Sequence, residues 1–332
     1  MQQNKFNVIV AVNKTQQSLL SKEFNNVEFI YLEGYNISYT KTKFLFALKI
    51  LLQAPKILFK IYTEHKWLKK TITEKEIDLV ISDNRFGLFS KKISCVFITH
   101  QLTIKAPLQW FEKIIQKINY FFINQYQQCW VPDIEKENNI AGVLSHPKHL
   151  PLTPVHYIGI LSRFKKEKKV EIKYDLCILL SGPEPQRTIL EVRLLCQIQN
   201  QTHLKIIFIR GLPTLNDTLK INGVECYNHL SQQELETIIN CCDTVIARSG
   251  YTTVMELLSL QKKSILIPTP GQTEQEYLAK YLQEKKYCLS YSQEFFFLDK
   301  AITESYAFNY QLNKEFIFND KKIIELVNNF LN

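Results

Sequence analysis

No Cys-x-x-Cys pair occurs among the eight cysteines of this chain. Without that ligand spacing, no structural zinc site is expected. Cys95, Cys129, Cys177, Cys196, Cys226, Cys241, Cys242 and Cys288 fall mostly in apolar segments and read as buried, reduced thiols of a cytosolic protein. No run approaches the ~18 uncharged apolar residues of a membrane span. The opening residues 1–6 lead directly into a strand pattern, so no secretory leader is expected. RNA-recognition, zinc-finger and helix-turn-helix signatures are absent, as are internal repeats and low-complexity tracts.

Acidic residues are the scarcer charge. Lysine and arginine number 41 against 32 aspartates and glutamates, a net charge of +9. That balance favours anionic partners, namely nucleotide diphosphates and acidic membrane surfaces; nucleic acid ranks last because its motifs are missing. At 332 residues the chain exceeds the usual size of one core, and 21 Phe with 16 Tyr suffice to fill two.

Short apolar runs alternate with helical patterns throughout, which predicts an α/β fold with parallel sheets. Strands are expected at 6–12, 27–32, 77–82, 94–98, 129–131, 174–180, 206–209 and 223–226. Residues 41–70 read as two helical segments broken at Pro55, carrying Lys41, Lys43, Lys49, Lys56, Lys60, Lys66, Lys69 and Lys70 against one acid, Glu64. The strand at 77–82 delivers Asp83 at its C-terminal end, and the strand at 94–98 delivers Thr99-His100-Gln101. Ligands collect at such ends in open α/β sheets, which makes His100 and Asp83 the candidate bases. A helix from Pro107 to Phe122 carries Trp110, Phe111, Ile114, Ile118 and Phe121, flanked by Lys105, Lys113 and Lys117. This pattern is either a core-facing helix with a basic flank or a contact with anionic lipid, with Trp110 the residue most expected to be exposed.

The most informative stretch is 244–258. Four apolar residues run into Arg248-Ser249-Gly250, and a helical pattern follows through Thr252 and Glu256. Ser249 reads as an N-cap and Gly250 as a tight turn, so a strand should lead directly into a helix N-terminus that suits a diphosphate. Glu256 is expected to point away from Val254, Leu257 and Leu258, where its carboxylate would accept hydrogen bonds from ribose hydroxyls. A second strand at 263–268 ends at Pro268, and the Pro270-Gly271 turn leads into a helix opening Gln272-Thr273-Glu274-Gln275-Glu276.

These two linked motifs resemble the C-terminal domain of glycosyltransferase family 28, a GT-B family. The resemblance implies two Rossmann-like domains whose parallel sheets face each other across a cleft, with domains at 1–162 and 163–318 and a last helix, 319–332, crossing back. It implies that Glu256 holds the ribose and that Gln275 and Glu276 hold the donor sugar, although the family often has two glutamines there. Ser181 and Gly182 match a turn that approaches the donor phosphates, and Arg187 adds charge beside it. Gly159 and Arg163 match a Gly-x-x-x-Arg at the hinge, and His100 matches a His-containing turn on the acceptor side. The chain departs from the family after its first strand, where a Gly-rich loop with a histidine is replaced by Asn13-Lys14-Thr15-Gln16.

The implied activity is transfer of a sugar, GlcNAc-type favoured, from a UDP-sugar to a lipid-linked or cell-surface glycan acceptor, with inversion. No Asp-x-Asp is present, so no metal or other cofactor is expected. Backbone amides, Arg163, Arg187 and the helix dipole would stabilise the leaving UDP. The implied location is the inner face of the cell membrane, held peripherally through Trp110, Lys113 and Lys117. A nucleotide-sugar hydrolase and a non-catalytic nucleotide-sugar-binding subunit are the rival readings. A nucleotide-sugar 2-epimerase is disfavoured by the absence of its Ser-Gly-Gly-x-Gln-Glu-Glu turn.

Overall fold

The computed structural model describes residues 6–24, 26–35, 43–106, 108–217 and 219–331. The chain divides into two compact units, residues 1–96 with 320–332, and residues 97–319. Residues 97–162 therefore group with the second unit.

The first unit opens with β1 (Ile9–Val12), α1 (Lys14–Glu23), β2 (Glu28–Tyr31), α2 (Lys43–Lys75) and β3 (Leu79–Asp83). β1 and β2 pair in parallel, with Ile9 opposite Glu28 and Val12 opposite Tyr31. The stretch expected as a loop after β1 is a helix start. Asn13 accepts from the Gln16 amide at 2.9 Å while Gln16 accepts from the Asn13 amide at 3.3 Å, a capping box.

Pro55 does not divide α2, which runs as one helix from Lys43 to Lys75. Proline removes one i→i−4 hydrogen bond, but the Leu- and Lys-rich sequence on either side is strongly helix-forming. Lys41 lies outside the described residues, as do the side chains of 43–51. Glu64, the single acid of that lysine-rich stretch, is 3% exposed. Its carboxylate accepts from Arg85 Nε at 2.9 Å and from the Tyr35 hydroxyl at 2.5 Å, and the Tyr35 oxygen accepts from the Phe86 amide at 2.9 Å. The turn after β3 is thus pinned to α2. Gly87 makes this approach possible, because a Cβ there would lie 2.5 Å from the Ile61 carbonyl and 2.6 Å from Glu64 Cβ.

β4 (Ser94–Ile98) runs through the division at 96/97. The second unit continues with α3 (Gln109–Ile123), β5 (Gln128–Val131), β6 (Val155–Tyr157), β7 (Tyr174–Leu179), α4 (Gln186–Ile198), β8 (Ile206–Ile209) and β9 (Val224–Tyr227). It then adds α5 (Gln232–Asn240), β10 (Cys242–Ala247), α6 (Tyr251–Ser259), β11 (Lys263–Leu266), α7 (Thr273–Glu284), β12 (Leu289–Ser290) and α8 (Leu298–Ala307). The last helix, α9 (Lys321–Leu331), groups with the first unit.

The main sheet is parallel throughout, in the order β12-β11-β10-β7-β8-β9. Helices cover both faces, so its central strands are continuous apolar runs rather than alternating ones. Successive residues point to opposite faces. Ile207 and Val245 join Leu257, Leu258 and Leu278 in one core, while Phe208 and Ile246 join Leu190 and Leu194 in the other. Strand order reverses between β7 and β10, which are neighbours with Leu179 opposite Ala247. The turns leaving these two strands therefore emerge side by side at a topological switch point, where α/β sheets bind ligands. Six cysteines are buried as expected, whereas Cys196 on α4 is exposed and Cys226 half-buried.

Removing the Glu64 carboxylate leaves the Arg85 charge and the Tyr35 hydroxyl without their buried partner. Glu64→Ala is expected to lower stability by about 3–5 kcal/mol, with Glu64→Gln losing less because it keeps an acceptor. Denaturant midpoints of the two variants check this ordering.

Candidate functional site

Arg248, at the end of β10, is 1% exposed. Its guanidinium donates to the carbonyls of Ile267 and Pro268 at 3.2 Å each, to the Gln186 carbonyl at 2.7 Å and to Gln293 Oε1 at 2.6 Å. One side chain thereby ties the turn after β10 to the end of β11, the start of α4 and the loop after β12. No described carboxylate pairs with it. Burial depresses its pKa to about 10, so it remains charged at neutral pH. Its Nε and the Thr269 hydroxyl are buried without a hydrogen-bond partner. Both border Gly182, where an added Cβ would lie 3.8 Å and 3.5 Å from them. Gly182 has φ +104°, a conformation that favours glycine. Ser181 and Gly182 themselves are exposed.

Ser249 does not cap α6. It is fully buried and its hydroxyl donates to the Gln275 carbonyl at 2.9 Å, joining the approach to α6 with α7. Gly250 occupies the cap position with φ −68° and ψ 138°, and no side chain caps the helix. That backbone suits any residue, so the glycine is not required by the turn; it keeps side-chain atoms away from the uncapped helix start. Thr252 is exposed on the first turn of α6.

Glu256 lies further along α6 and is buried, not held at an open mouth; residues 254–259 of the helix are buried on every side. Burial raises the Glu256 carboxyl, and Arg163 opposes that by pairing with it, Nε to Oε1 at 2.6 Å. The Arg163 side chain is 48% exposed. Arg187 is buried and spends its donors on Glu184 at 2.6 Å and on Glu191 at 3.1 Å. Arg210 shares the same Glu191. The Arg187 charge is thus met by carboxylates at and just before the first turns of α4. Gln275 accepts from the Thr269 amide and Glu276 from the Gly271 amide, each at 2.9 Å. Glu276 also borders an open cavity of about 730 Å³ with Pro268, Pro270 and Gln293.

His100 belongs to the same unit and meets α6 and α7 at their N-termini. Its Nε2 is 2.8 Å from Glu274 Oε1. Its ring stacks on Tyr251 at 4.0 Å with 5° between planes. Tyr251 is buried and its hydroxyl donates to the Pro132 carbonyl at 2.6 Å. Sequence reasoning missed both partners. The signals were available: Tyr251 directly follows Ser249-Gly250, and Glu274 directly precedes the Gln275–Glu276 pair. Asp83 belongs to the first unit, where it is exposed and accepts from Asn84 Nδ2 at 3.3 Å.

The apolar side of α3 splits in two. Phe111, Phe122 and Ile123 are buried, whereas Trp110, Ile114, Ile118 and Phe121 are 54%, 45%, 51% and 63% exposed. At 100° per residue the exposed four span an arc of about 80°. Lys113 and Lys117 are exposed beside them, while Lys105 pairs with Glu112 at 3.3 Å. Pro107 lies outside the described residues. No described helix is long and apolar enough to cross a membrane.

Solved structures of glycosyltransferases share this architecture. MurG of Acinetobacter baumannii aligns with a TM-score of 0.53 and 12% identity over 99% of this chain and 92% of its own. A Streptomyces glycosyltransferase complexed with thymidine diphosphate aligns with a TM-score of 0.61 and 11% identity, covering 99% of this chain and 93% of that one. The fold is that of the GT-B glycosyltransferases. Within it, residues 180–326 match the sequence pattern of the glycosyltransferase family 28 C-terminal domain. A UDP-N-acetylglucosamine–N-acetylmuramyl-(pentapeptide) pyrophosphoryl-undecaprenol N-acetylglucosamine transferase of Clostridium perfringens is 39% identical over 64 residues, 19% of this chain and 18% of its own length.

Glu256→Ala is expected to weaken UDP binding by about 1–3 kcal/mol through loss of charged hydrogen bonds. Titration calorimetry with UDP checks this; an unchanged affinity removes Glu256 from the site.

Proposed function

We propose that this protein is an inverting glycosyltransferase that moves a sugar, GlcNAc-type favoured, from a UDP-sugar to a lipid-linked or cell-surface glycan acceptor. The observation that carries the reading is the uncapped start of α6, with the Arg248 charge, met by no described carboxylate, buried next to Gly182. A helix N-terminus and a fixed cation together favour a diphosphate. Glu256 supplies acceptor oxygens for a ribose. The Clostridium relative supports GlcNAc as the sugar and a pyrophosphoryl lipid as the acceptor class, and the Streptomyces structure supports a nucleoside diphosphate.

His100 is the base in this reading. It removes the acceptor proton as the oxygen attacks C1 of the sugar from the side opposite UDP, which inverts that centre. Arg248 and the α6 amides offset the charge that develops on the leaving diphosphate, a task for which some transferases use a divalent ion. Arg163 joins them by leaving Glu256 when the nucleotide arrives.

Free UDP released from UDP-GlcNAc, with and without an undecaprenyl-pyrophosphoryl muramyl acceptor, tests the function. Release that depends on the acceptor supports transfer, release without acceptor supports a hydrolase, and binding without release supports a non-catalytic subunit. Turnover in excess chelator is expected to match turnover in magnesium. A collapse that magnesium restores contradicts a metal-independent mechanism.

The exposed stripe Trp110, Ile114, Ile118 and Phe121 with Lys113 and Lys117 supports peripheral attachment to an anionic membrane on the cytoplasmic side. Each lysine near such a surface contributes about 1 kcal/mol, and salt screens it. Co-sedimentation with acidic vesicles is expected at low salt, and Trp110→Ala combined with Lys113→Glu and Lys117→Glu should abolish it. Unchanged binding by that variant rules out this face.

A further inference from the structure

We infer that Glu274 is a positioning residue for His100, and that this pairing makes Nδ1 the imidazole atom that receives the acceptor's proton. The inference rests on the reading of His100 as the base. His100 Nε2 lies 2.8 Å from Glu274 Oε1. A carboxylate accepts hydrogen bonds and cannot donate them, so this contact places the ring proton on Nε2. A neutral imidazole carries one N–H, and its other nitrogen, Nδ1, keeps the lone pair. The Gln101 amide is 3.3 Å from the same Nε2. It can turn to present its oxygen, so the shorter contact to an obligate acceptor decides the tautomer.

The ring is restrained in two further ways. It lies flat on Tyr251, 4.0 Å away with 5° between planes. Tyr251 in turn is 5% exposed and fixed by its 2.6 Å bond to the Pro132 carbonyl. Stacking sets the plane of the imidazole, and Glu274 sets its rotation within that plane. Three separate segments meet here: the end of β4, the first residue of α6 and the first turn of α7. The last two also carry Glu256 and Gln275, so the base is referenced to the elements that hold the donor.

The chemistry balances through these atoms. As the acceptor oxygen forms its bond to C1, its proton passes to Nδ1 and the C1–O bond to the diphosphate breaks, its electron pair leaving with UDP. The imidazolium then carries N–H on both nitrogens, and its charge is offset by the Glu274 carboxylate against Nε2. Glu274 thus acts through His100, on the state that forms during transfer.

The test uses the full chain in two arms. The first is histidine-selective 15N NMR, in which His100→Ala identifies one resonance pair among seven histidines. The parent should show His100 as the Nε2–H tautomer when neutral, and Glu274→Ala should lose that bias. An Nδ1–H tautomer in the parent overturns the inference. The second arm is transfer from UDP-GlcNAc to the undecaprenyl-pyrophosphoryl muramyl acceptor. Glu274→Ala should lower kcat about 10- to 100-fold with the donor KM nearly unchanged, Glu274→Gln should lose less, and neither should slow His100→Ala further. A His100→Ala protein as fast as the parent overturns the base reading, and this inference with it. A slow His100→Ala with a fast Glu274→Ala overturns the inference alone. Should Glu274→Ala fail to fold, Glu274→Gln carries the kinetic arm, and parental kcat in it counts against the inference.

Discussion

A buried guanidinium that no described carboxylate meets is the constraint on which the second unit depends. Arg248 is held by three backbone carbonyls and the Gln293 amide rather than by a carboxylate. Taking a charge out of water is costly unless its donors are met, and here the two terminal nitrogens are met while Nε is not. The geometry of four segments is therefore set by the need to satisfy one fork of N–H groups. Moving any of them would strand a charged donor in the interior. The same arrangement leaves the positive charge without a described carboxylate, and its Nε lies close to the exposed Gly182. In the proposed reading, structural rigidity and attraction for an anion come from one side chain. Arg187 makes the contrast: similarly buried, it is paired with Glu184 and Glu191, so its charge is spent locally.

A second layer of restraint runs from the tyrosines of α6 and α7 to the segment after β5. Tyr251 bonds the Pro132 carbonyl, Tyr277 accepts from the Val143 amide at 2.9 Å, and Tyr281 donates to Asn139 at 2.7 Å. Asp133, fully buried, accepts from the Ile134, Ile140 and Ala141 amides and from Ser145, which gives this segment its own fixed shape. Gly142, with φ +52°, lies where a Cβ would meet the Tyr277 hydroxyl at 2.2 Å. The segment is thus fitted to α6 and α7, and His100 is held in the same unit.

Much of this was legible in the sequence. The apolar runs marked the strands, because a parallel sheet covered on both faces needs uninterrupted apolar residues. Ser231 and Glu234 announced α5 with a capping box that forms as read. The Arg248-Ser249-Gly250 turn stands out because only these three residues separate a strand from a helix. What failed depended on tertiary partners. Pro55 was read from local rules, but its helix continues. Glu256 was placed by helical periodicity on an outer face, yet α6 is buried on all sides and Arg163 meets the carboxylate there. Ser249 looked like a cap because its type favours one, whereas its hydroxyl serves α7. Glu274 and Tyr251 each adjoin a legible motif, but nothing local ties either to His100, which is distant in sequence.

The central claim is that the start of α6, with Arg248 behind it, receives a nucleoside diphosphate. A crystal structure of the protein with UDP bound tests it most directly. The diphosphate is expected against the first turn of α6, with the ribose hydroxyls on Glu256. A nucleotide bound elsewhere, or bound with Glu256 still closed by Arg163 and making no contact to the ribose, would contradict it.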